Sequence, residues 1–288
     1  MNTDSGAHRL AILGAGVMGS GIAALAVGHG IPVVLIDLDQ GALDRATGLV
    51  AHQVRHARLQ SALPDGRPAA ELVTSPAIAD ITGVTAVVEA VTENSGAKTA
   101  ALAGAAAAAG AGVPLISNTS GIPIDELADA VPRPADLVGT HFMNPPYLIR
   151  MVEVIQGPRT GEVTMTAVTQ LLMALARRPV VVRDAPGFVT SRLLHPMIND
   201  AVRIVAEGTA TVEAVDDLMQ GCLGHPTGPL RTADLIGLDN LADALSALYE
   251  RTGDKRALPC ELLLEKVRAG DLGRKTGRGF YDYGEGLR

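Results

Sequence analysis

Three glycines within six residues, Gly14-Ala15-Gly16-Val17-Met18-Gly19, leave few folds open to this chain. They follow at once on a short apolar run, Leu10–Leu13, and they open a stretch of helical character that reaches about Gly28. A second apolar run, Val33–Ile36, ends in Asp37, 23 residues after Gly14. Strand, tight turn, helix and strand in about thirty residues is the opening unit of a dinucleotide-binding sheet. Gly14 permits the turn, Gly16 lets backbone approach a pyrophosphate, and Gly19 lets helix and strand pack closely. The helix N-terminus that follows offers N–H groups to phosphate, so Val17 and Met18 join the three glycines as cofactor-binding candidates. Asp37 is placed to accept from the ribose hydroxyls and to repel a 2′-phosphate. The expected cofactor is therefore NAD rather than NADP.

Further strand signals at 86–91, 114–117 and 137–140 alternate with helical segments. This alternation predicts a parallel sheet covered by helices on both faces. The alanine-rich stretch 100–111 reads as a helix, because alanine is the best helix former. Beyond 180–182 the strand signal fades, and Asp184-Ala185-Pro186-Gly187 punctuates the chain. Leu194, Met197 or Ile198, Val202 and Val205 then recur at helical spacing, with Pro196 as a possible kink. Segments 213–223, 240–249 and 261–267 also read as helices. The expected fold class is α/β, a Rossmann-type doubly wound parallel sheet followed by an all-helical C-terminal domain. The expected domains are an NAD-binding domain at 1–183 and a helical substrate and dimerisation domain at 184–288.

At 288 residues and 47 % hydrophobic, the chain can bury two cores, but aromatics are only 2 %, so aliphatic residues must fill them. A net charge of −7 argues against nucleic acid as a partner and leaves anionic ligands to local donors. No apolar stretch reaches the ~20 residues that span a bilayer. The start, MNTDSGAHRL, carries no export leader, and a cytoplasmic protein is expected. Cys222 and Cys260 have no metal-ligand spacing and are expected as free thiols, and no metal site is expected.

His141 follows a predicted strand in His141-Phe-Met-Asn144-Pro-Pro, and Glu153 lies in the apolar run 151–155. A hydride-transfer dehydrogenase needs a base for the alcohol proton, and a histidine held by a carboxylate suits that task. Taken alone, His141 reads more readily as a structural histidine; downstream of a dinucleotide site, with Glu153 at hand, the base is the better reading.

With these residues in place, the chain resembles the 3-hydroxyacyl-CoA dehydrogenases, and especially the short-chain bacterial 3-hydroxybutyryl-CoA enzymes. The blocks GAGVMGSGIA, VVEAVTEN, SNTSGIPI, HFMNPP, VEVI, PGFVTSRLL, GHPTGPL and GRKTGRGFYDY carry the resemblance over nearly the whole length. It implies His141 as general base, Glu153 as the acid that orients it, and Ser120, from SNTS, as a contact to the substrate oxygen. It further implies that Asn144 touches cofactor and substrate, that Glu93 and Lys275 touch cofactor, and that Lys98 lies near cofactor and the acyl-thioester arm. A homodimer formed through a helical second domain that closes over the substrate is also implied.

Two departures bear on the substrate. The family's PGFxxNR reads PGFVTSR here, so Ser191 replaces an asparagine near the reacting carbon, a change that suits a more polar acyl group. Residues 41–72 contain no lysine, where the family neutralises coenzyme A phosphates; Gln60 stands at the matching position, with Arg55, Arg58 and Arg67 nearby as candidate phosphate ligands of the substrate. The expected substrate is an acyl-CoA thioester. The alternative is a hydroxyacyl or glyceryl group on an acyl carrier protein, as in a polyketide-precursor branch of the family, whose pantetheine arm lacks the adenosine 3′-phosphate. A free hydroxy acid, held by Arg150 or Arg192 as in gulonate dehydrogenases, is a further alternative. A catalytically dead NAD-binding protein is a reading from another class, opposed by Ser120, His141, Asn144 and Glu153.

Overall fold

The computed structural model describes residues 8–284, and the expectation of no export leader at residues 1–7 lies outside the described residues. Its first unit is organised around one helix. The chain enters on β1 (Leu10–Leu13), passes the glycine turn into α1 (Val17–Gly28), and returns as β2 (Val33–Ile36). Every residue of α1 from Gly19 to Gly28 is buried, because its side chains are small or aliphatic on all sides. It can therefore lie between the sheet and α2 (Gln40–Leu59), where the buried Leu43, Ala46, Val50, Val54 and Ala57 form an apolar face. Asp39 caps α2 by accepting from Gly41 N–H at 2.8 Å.

The remaining elements of the unit are β3 (Leu72–Ser75), β4 (Ala86–Glu89), α3 (Ser95–Ala109), β5 (Leu115–Ser117), α4 (Ile124–Ala128), β6 (Leu137–Phe142), β7 (Met151–Gln156), α5 (Glu162–Ala174) and β8 (Arg178–Arg183). They form one eight-stranded sheet in the order β3-β2-β1-β4-β5-β6-β7-β8. The order reverses direction between β1 and β4, and a crevice at the carboxyl ends of those two strands is the ligand position of such sheets. β3, which the sequence pattern did not reveal, pairs parallel with β2.

The expectation of a parallel sheet needs correcting at one edge. β6 and β7 are antiparallel, and β8 is parallel to β7, so the last two strands oppose the other six. The cause is the connection. Residues 143–150 are too few for a helical crossover, so the chain can only turn back beside β6.

The chain divides between Ala185 and Pro186 into two compact units. Asp184, where the punctuation in the sequence suggested the boundary, belongs to the first unit. Its carboxylate accepts from Ile124 N–H at 3.0 Å and Asp125 N–H at 2.8 Å, at the start of α4.

The second unit holds α6 (Thr190–Ala206), α7 (Val212–Leu223), α8 (Pro229–Ile236), α9 (Leu238–Thr252) and α10 (Glu261–Arg268). Pro196 sits inside α6, and Ile198 rather than Met197 is fully buried there. Leu238, Leu241, Ala242, Leu245 and Leu248 give α9 an apolar stripe facing the same core. Cys222 and Cys260 are free thiols. Among the described residues, no helix is long and apolar enough to cross a membrane, and no cluster of metal-ligating side chains occurs.

Two buried acids hold this unit's C-terminal segment. Asp216 accepts from Leu230 N–H (2.8 Å), Arg231 N–H (3.0 Å) and the Tyr281 hydroxyl (2.9 Å). Asp234 accepts from Phe280 N–H (2.8 Å), Tyr281 N–H (2.9 Å) and the Tyr283 hydroxyl (3.0 Å). Burial and the facing Asp216 carboxylate push the Tyr281 phenol above the usual tyrosine range. Removing Asp216 leaves the buried Leu230 N–H and the partly buried Arg231 N–H at the start of α8 without their acceptor. Asp216→Ala should therefore cost about 2–3 kcal/mol of unfolding free energy, and Tyr281→Phe about 1 kcal/mol. Urea unfolding of both variants checks this, and equal losses would contradict the cap.

Candidate active site

The glycine turn lies at the reversal point of the sheet. Gly14 has φ +98°, and a Cβ there would lie 2.6 Å from the Ala90 carbonyl oxygen, just past the end of β4. A Cβ on Gly19 would lie 1.8 Å from the Gly14 carbonyl oxygen, so α1 crosses the turn at a separation only glycine allows. A Cβ on Gly16 would meet no atom within 4 Å, which leaves the turn open to a ligand's backbone-close approach. α1 has no side-chain cap and no acid in its first turn, so its first N–H groups face outward with the positive end of the helix dipole. Val17 is 60 % exposed beside them, and Met18 packs inward against the core.

Asp37 stands at the end of β2. One carboxylate oxygen accepts from Ala15 N–H at 2.7 Å, and the other from Asp39 N–H at 3.0 Å. The acid is thus tied to the glycine turn it serves. These residues suit an adenine dinucleotide: an open, unprotected helix terminus for the pyrophosphate and a fixed carboxylate for a ribose diol.

His141 and Glu153, twelve residues apart in sequence, are direct cross-strand partners in the β6–β7 ladder. The reversed strand makes them neighbours, with Nδ1 of His141 at 2.9 Å from Oε2 of Glu153. Both are buried, at 8 % and 7 % exposure, which strengthens their interaction. The adjacent strand is tied in as well: Asn118 accepts from Phe142 N–H at 3.1 Å, so the turn after β5 is registered against the residue following His141.

That turn carries Ser120, and Glu93 organises it. One Glu93 oxygen accepts from the Thr119 hydroxyl (2.6 Å), Ser120 N–H (2.8 Å), the Ser120 hydroxyl (3.2 Å) and Gly121 N–H (3.2 Å). Desolvation works to raise the Glu93 pKa, but the Lys98 ammonium, the Thr119 hydroxyl and Ser120 N–H together hold it below the usual carboxylate range. Asn144 is exposed on the loop after β6, and its bond to Pro145 is cis.

Lys98 stands apart from its sequence expectation of reaching a thioester arm. It is 1 % exposed, and Nζ lies 2.8 Å from Glu89, 3.2 Å from Glu93 and 3.4 Å from the Val91 carbonyl oxygen. An ammonium has three N–H bonds, and three protein oxygens surround this one. Glu89 was not singled out in the sequence, although a carboxylate closing the apolar strand Ala86-Val87-Val88 is an anomaly that could have marked it.

Of the arginines near Gln60, Arg58 donates to the Arg67 carbonyl oxygen at 3.1 Å, and Arg67 to that of His29 at 2.9 Å. Arg55 is exposed on α2, and Gln60 ends that helix. Ser191 and Lys275 belong to the second unit. Ser191 is buried on α6, and Lys275 pairs with Asp239 at 2.6 Å.

Residues 9–185 match the family model described as 3-hydroxyacyl-CoA dehydrogenase, NAD binding domain, and residues 187–283 match the corresponding C-terminal domain. A probable 3-hydroxybutyryl-CoA dehydrogenase of Deinococcus radiodurans is 39 % identical, over 96 % of this chain and 100 % of that protein. The 3-hydroxybutyryl-CoA dehydrogenase of Bradyrhizobium diazoefficiens is 36 % identical, over 96 % of this chain and 95 % of its own. Among solved structures, the (S)-3-hydroxybutyryl-CoA dehydrogenase of Ralstonia eutropha superposes with a TM-score of 0.86 at 36 % identity, covering 96 % of this chain and 99 % of that one. An open glycine turn with its acid, a buried histidine–carboxylate pair and two family domains end to end lead to one conclusion: this chain belongs to the 3-hydroxyacyl-CoA dehydrogenase family of NAD-dependent oxidoreductases.

Proposed function

We propose that this protein interconverts short 3-hydroxyacyl and 3-oxoacyl thioesters, with coenzyme A as the carrier. The observation that carries the reading is the buried His141–Glu153 pair beside the Ser120 turn. Bound NAD supplies the hydride acceptor for the oxidation. With Nδ1–H donated to Glu153, the basic lone pair of His141 is on Nε2, which takes the proton of the substrate alcohol. The Glu153 carboxylate offsets the imidazolium charge so formed. Ser120 holds the substrate oxygen, and Asn144 orients substrate and nicotinamide. In the reverse direction His141 returns the proton to the carbonyl oxygen. The names of the bacterial relatives support a four-carbon acyl group on coenzyme A. A homodimer through the second unit is part of the reading, supported by the exposed apolar side chains of Leu193, Leu218 and Leu223 there.

A second reading, an acyl carrier protein in place of coenzyme A, is favoured by one observation. Arg58 and Arg67 donate to main-chain carbonyls, and no lysine lies between 41 and 72, so the 3′-phosphate of coenzyme A has few dedicated cations.

Four substitutions test these readings. Asp37→Ala should weaken NADH binding and narrow the preference over NADPH, and equal wild-type efficiency with the two cofactors would contradict the role of Asp37. His141→Gln should lower turnover about 10²- to 10⁴-fold with NADH binding retained. Glu153→Gln should cost less and move the pH profile; near-normal turnover of His141→Gln in single-turnover assays would remove the base. Gln60→Lys should lower KM for acetoacetyl-CoA roughly two- to fivefold, as an exposed ion pair contributes about 0.2–1 kcal/mol. The same variant should leave a carrier-protein substrate unaffected. A tight KM in wild type, unchanged by Gln60→Lys, would leave the arginines as the phosphate ligands and set aside the carrier-protein reading.

A further inference from the structure

Glu89 is the last residue of β4 and has no solvent exposure. A carboxylate so placed persists as a charge only if its oxygens are partnered. Oε1 accepts from the Lys98 ammonium at 2.8 Å and from Val91 N–H at 2.9 Å, and Oε2 accepts from the Ser117 hydroxyl at 2.6 Å. Lys98 comes up from the first turn of α3, which Asn94 caps by accepting from Ala97 N–H at 3.0 Å. Its ammonium bridges Glu89 to Glu93, and Glu93 in turn takes the hydroxyl and N–H of Ser120.

The segment from Ser117 to Gly121 is therefore gripped twice. Glu89 holds it directly at Ser117, and through Lys98 and Glu93 it holds it again at Ser120. Lys98 also keeps the two carboxylates from repelling each other. Among the contacts of Glu93, the Ser120 hydroxyl at 3.2 Å is among the longest, so it is readily exchanged for a substrate oxygen while the shorter bonds keep the turn in place. An apolar side chain of similar volume would fill the end of β4 without the cost of desolvating a charge. The charged chain ends instead on the hydroxyl that meets the substrate.

We propose that Glu89 is a positioning residue for the dehydrogenation, acting through Lys98 and Glu93 to set the Ser120 hydroxyl against His141; this rests on the reading of Ser120 and His141 given above. Lys98 is then an internal link and not a ligand of the thioester arm.

The test is Glu89→Gln, which keeps shape and a hydrogen-bond acceptor for Ser117 but removes the charge that anchors Lys98. In the full-length enzyme with acetoacetyl-CoA and NADH, kcat should fall roughly 10- to 100-fold, with KM and NADH affinity within about threefold, since small misplacements of a reacting group act on turnover. Glu89→Asp, which retains the charge, should recover part of the loss. In a Ser120→Ala background, Glu89→Gln should cost less than about twofold more, because the two changes act on the same group. Ser117→Ala, which loosens only the direct grip, repeats the cycle if Glu89→Gln fails to fold by thermal melting. The proposal is overturned by full additivity with Ser120→Ala, or by a loss confined to KM and NADH affinity. A wild type inactive on thioesters, or indifferent to His141→Gln, overturns the functional reading and this proposal with it.

Discussion

Among the glycines of the first unit, the tightest approach is that of α1 to the turn that precedes it. The Gly14 carbonyl oxygen lies where a Cβ of residue 19 would be, so helix and strand meet with no side chain between them. The position of the sheet's helix layer, the outward aim of the α1 N–H groups and the placing of Asp37 beside Ala15 all follow from that contact. It also explains the composition of α1. A helix pressed this deeply between sheet and α2 has no polar face, so residues 19–28 are glycine, alanine, serine and aliphatics.

A second constraint acts at the other side of the sheet. Residues 143–150 are too short to carry a helix across, and the reversal of β7 brings Glu153 opposite His141. The base and its carboxylate thus come from neighbouring strands, whose ladder fixes their distance more firmly than a loop would. The turn after β5 is joined to the same edge by Asn118; Glu89 of β4 fastens its near end at Ser117 and Glu93 its far end at Ser120. Three strand ends converge on one small volume of polar groups. Each acid there is paired within its own unit, Glu153 with His141 and both Glu89 and Glu93 with Lys98.

Much of this was legible in the order of residues. The glycine spacing and the acid at the end of β2 have local causes, so Gly14, Gly16, Gly19 and Asp37 stand in the geometry their spacing implies. In the second unit α6, α7, α9 and α10 also follow from 3.6-residue periodicity, to within a few residues at their ends, whereas α8 was not among the expected helices. β3 was missed because Leu72-Val73-Thr74-Ser75 is short and partly exposed, and its pairing with β2 is supplied by a distant segment. The roles of Arg58, Arg67 and Lys98 could not be read either. A long cationic side chain looks the same in sequence whether it meets a phosphate, a main-chain carbonyl or a buried carboxylate.

By itself, the sequence determined most of the element types, the nucleotide turn and the presence of a histidine and an acid suited to hydride transfer. These depend on backbone sterics, side-chain entropy and the intrinsic basicity of imidazole, all properties of single residues or near neighbours. Only the tertiary structure decided that Glu153 stands in register with His141 and that Lys98 joins Glu89 to Glu93. Strand register depends on which residues of the neighbouring strand the returning chain meets, and a buried ion pair depends on groups that meet only after the sheet has formed. Neither quantity is a function of local sequence, because each is the energy of a contact between segments brought together by the fold.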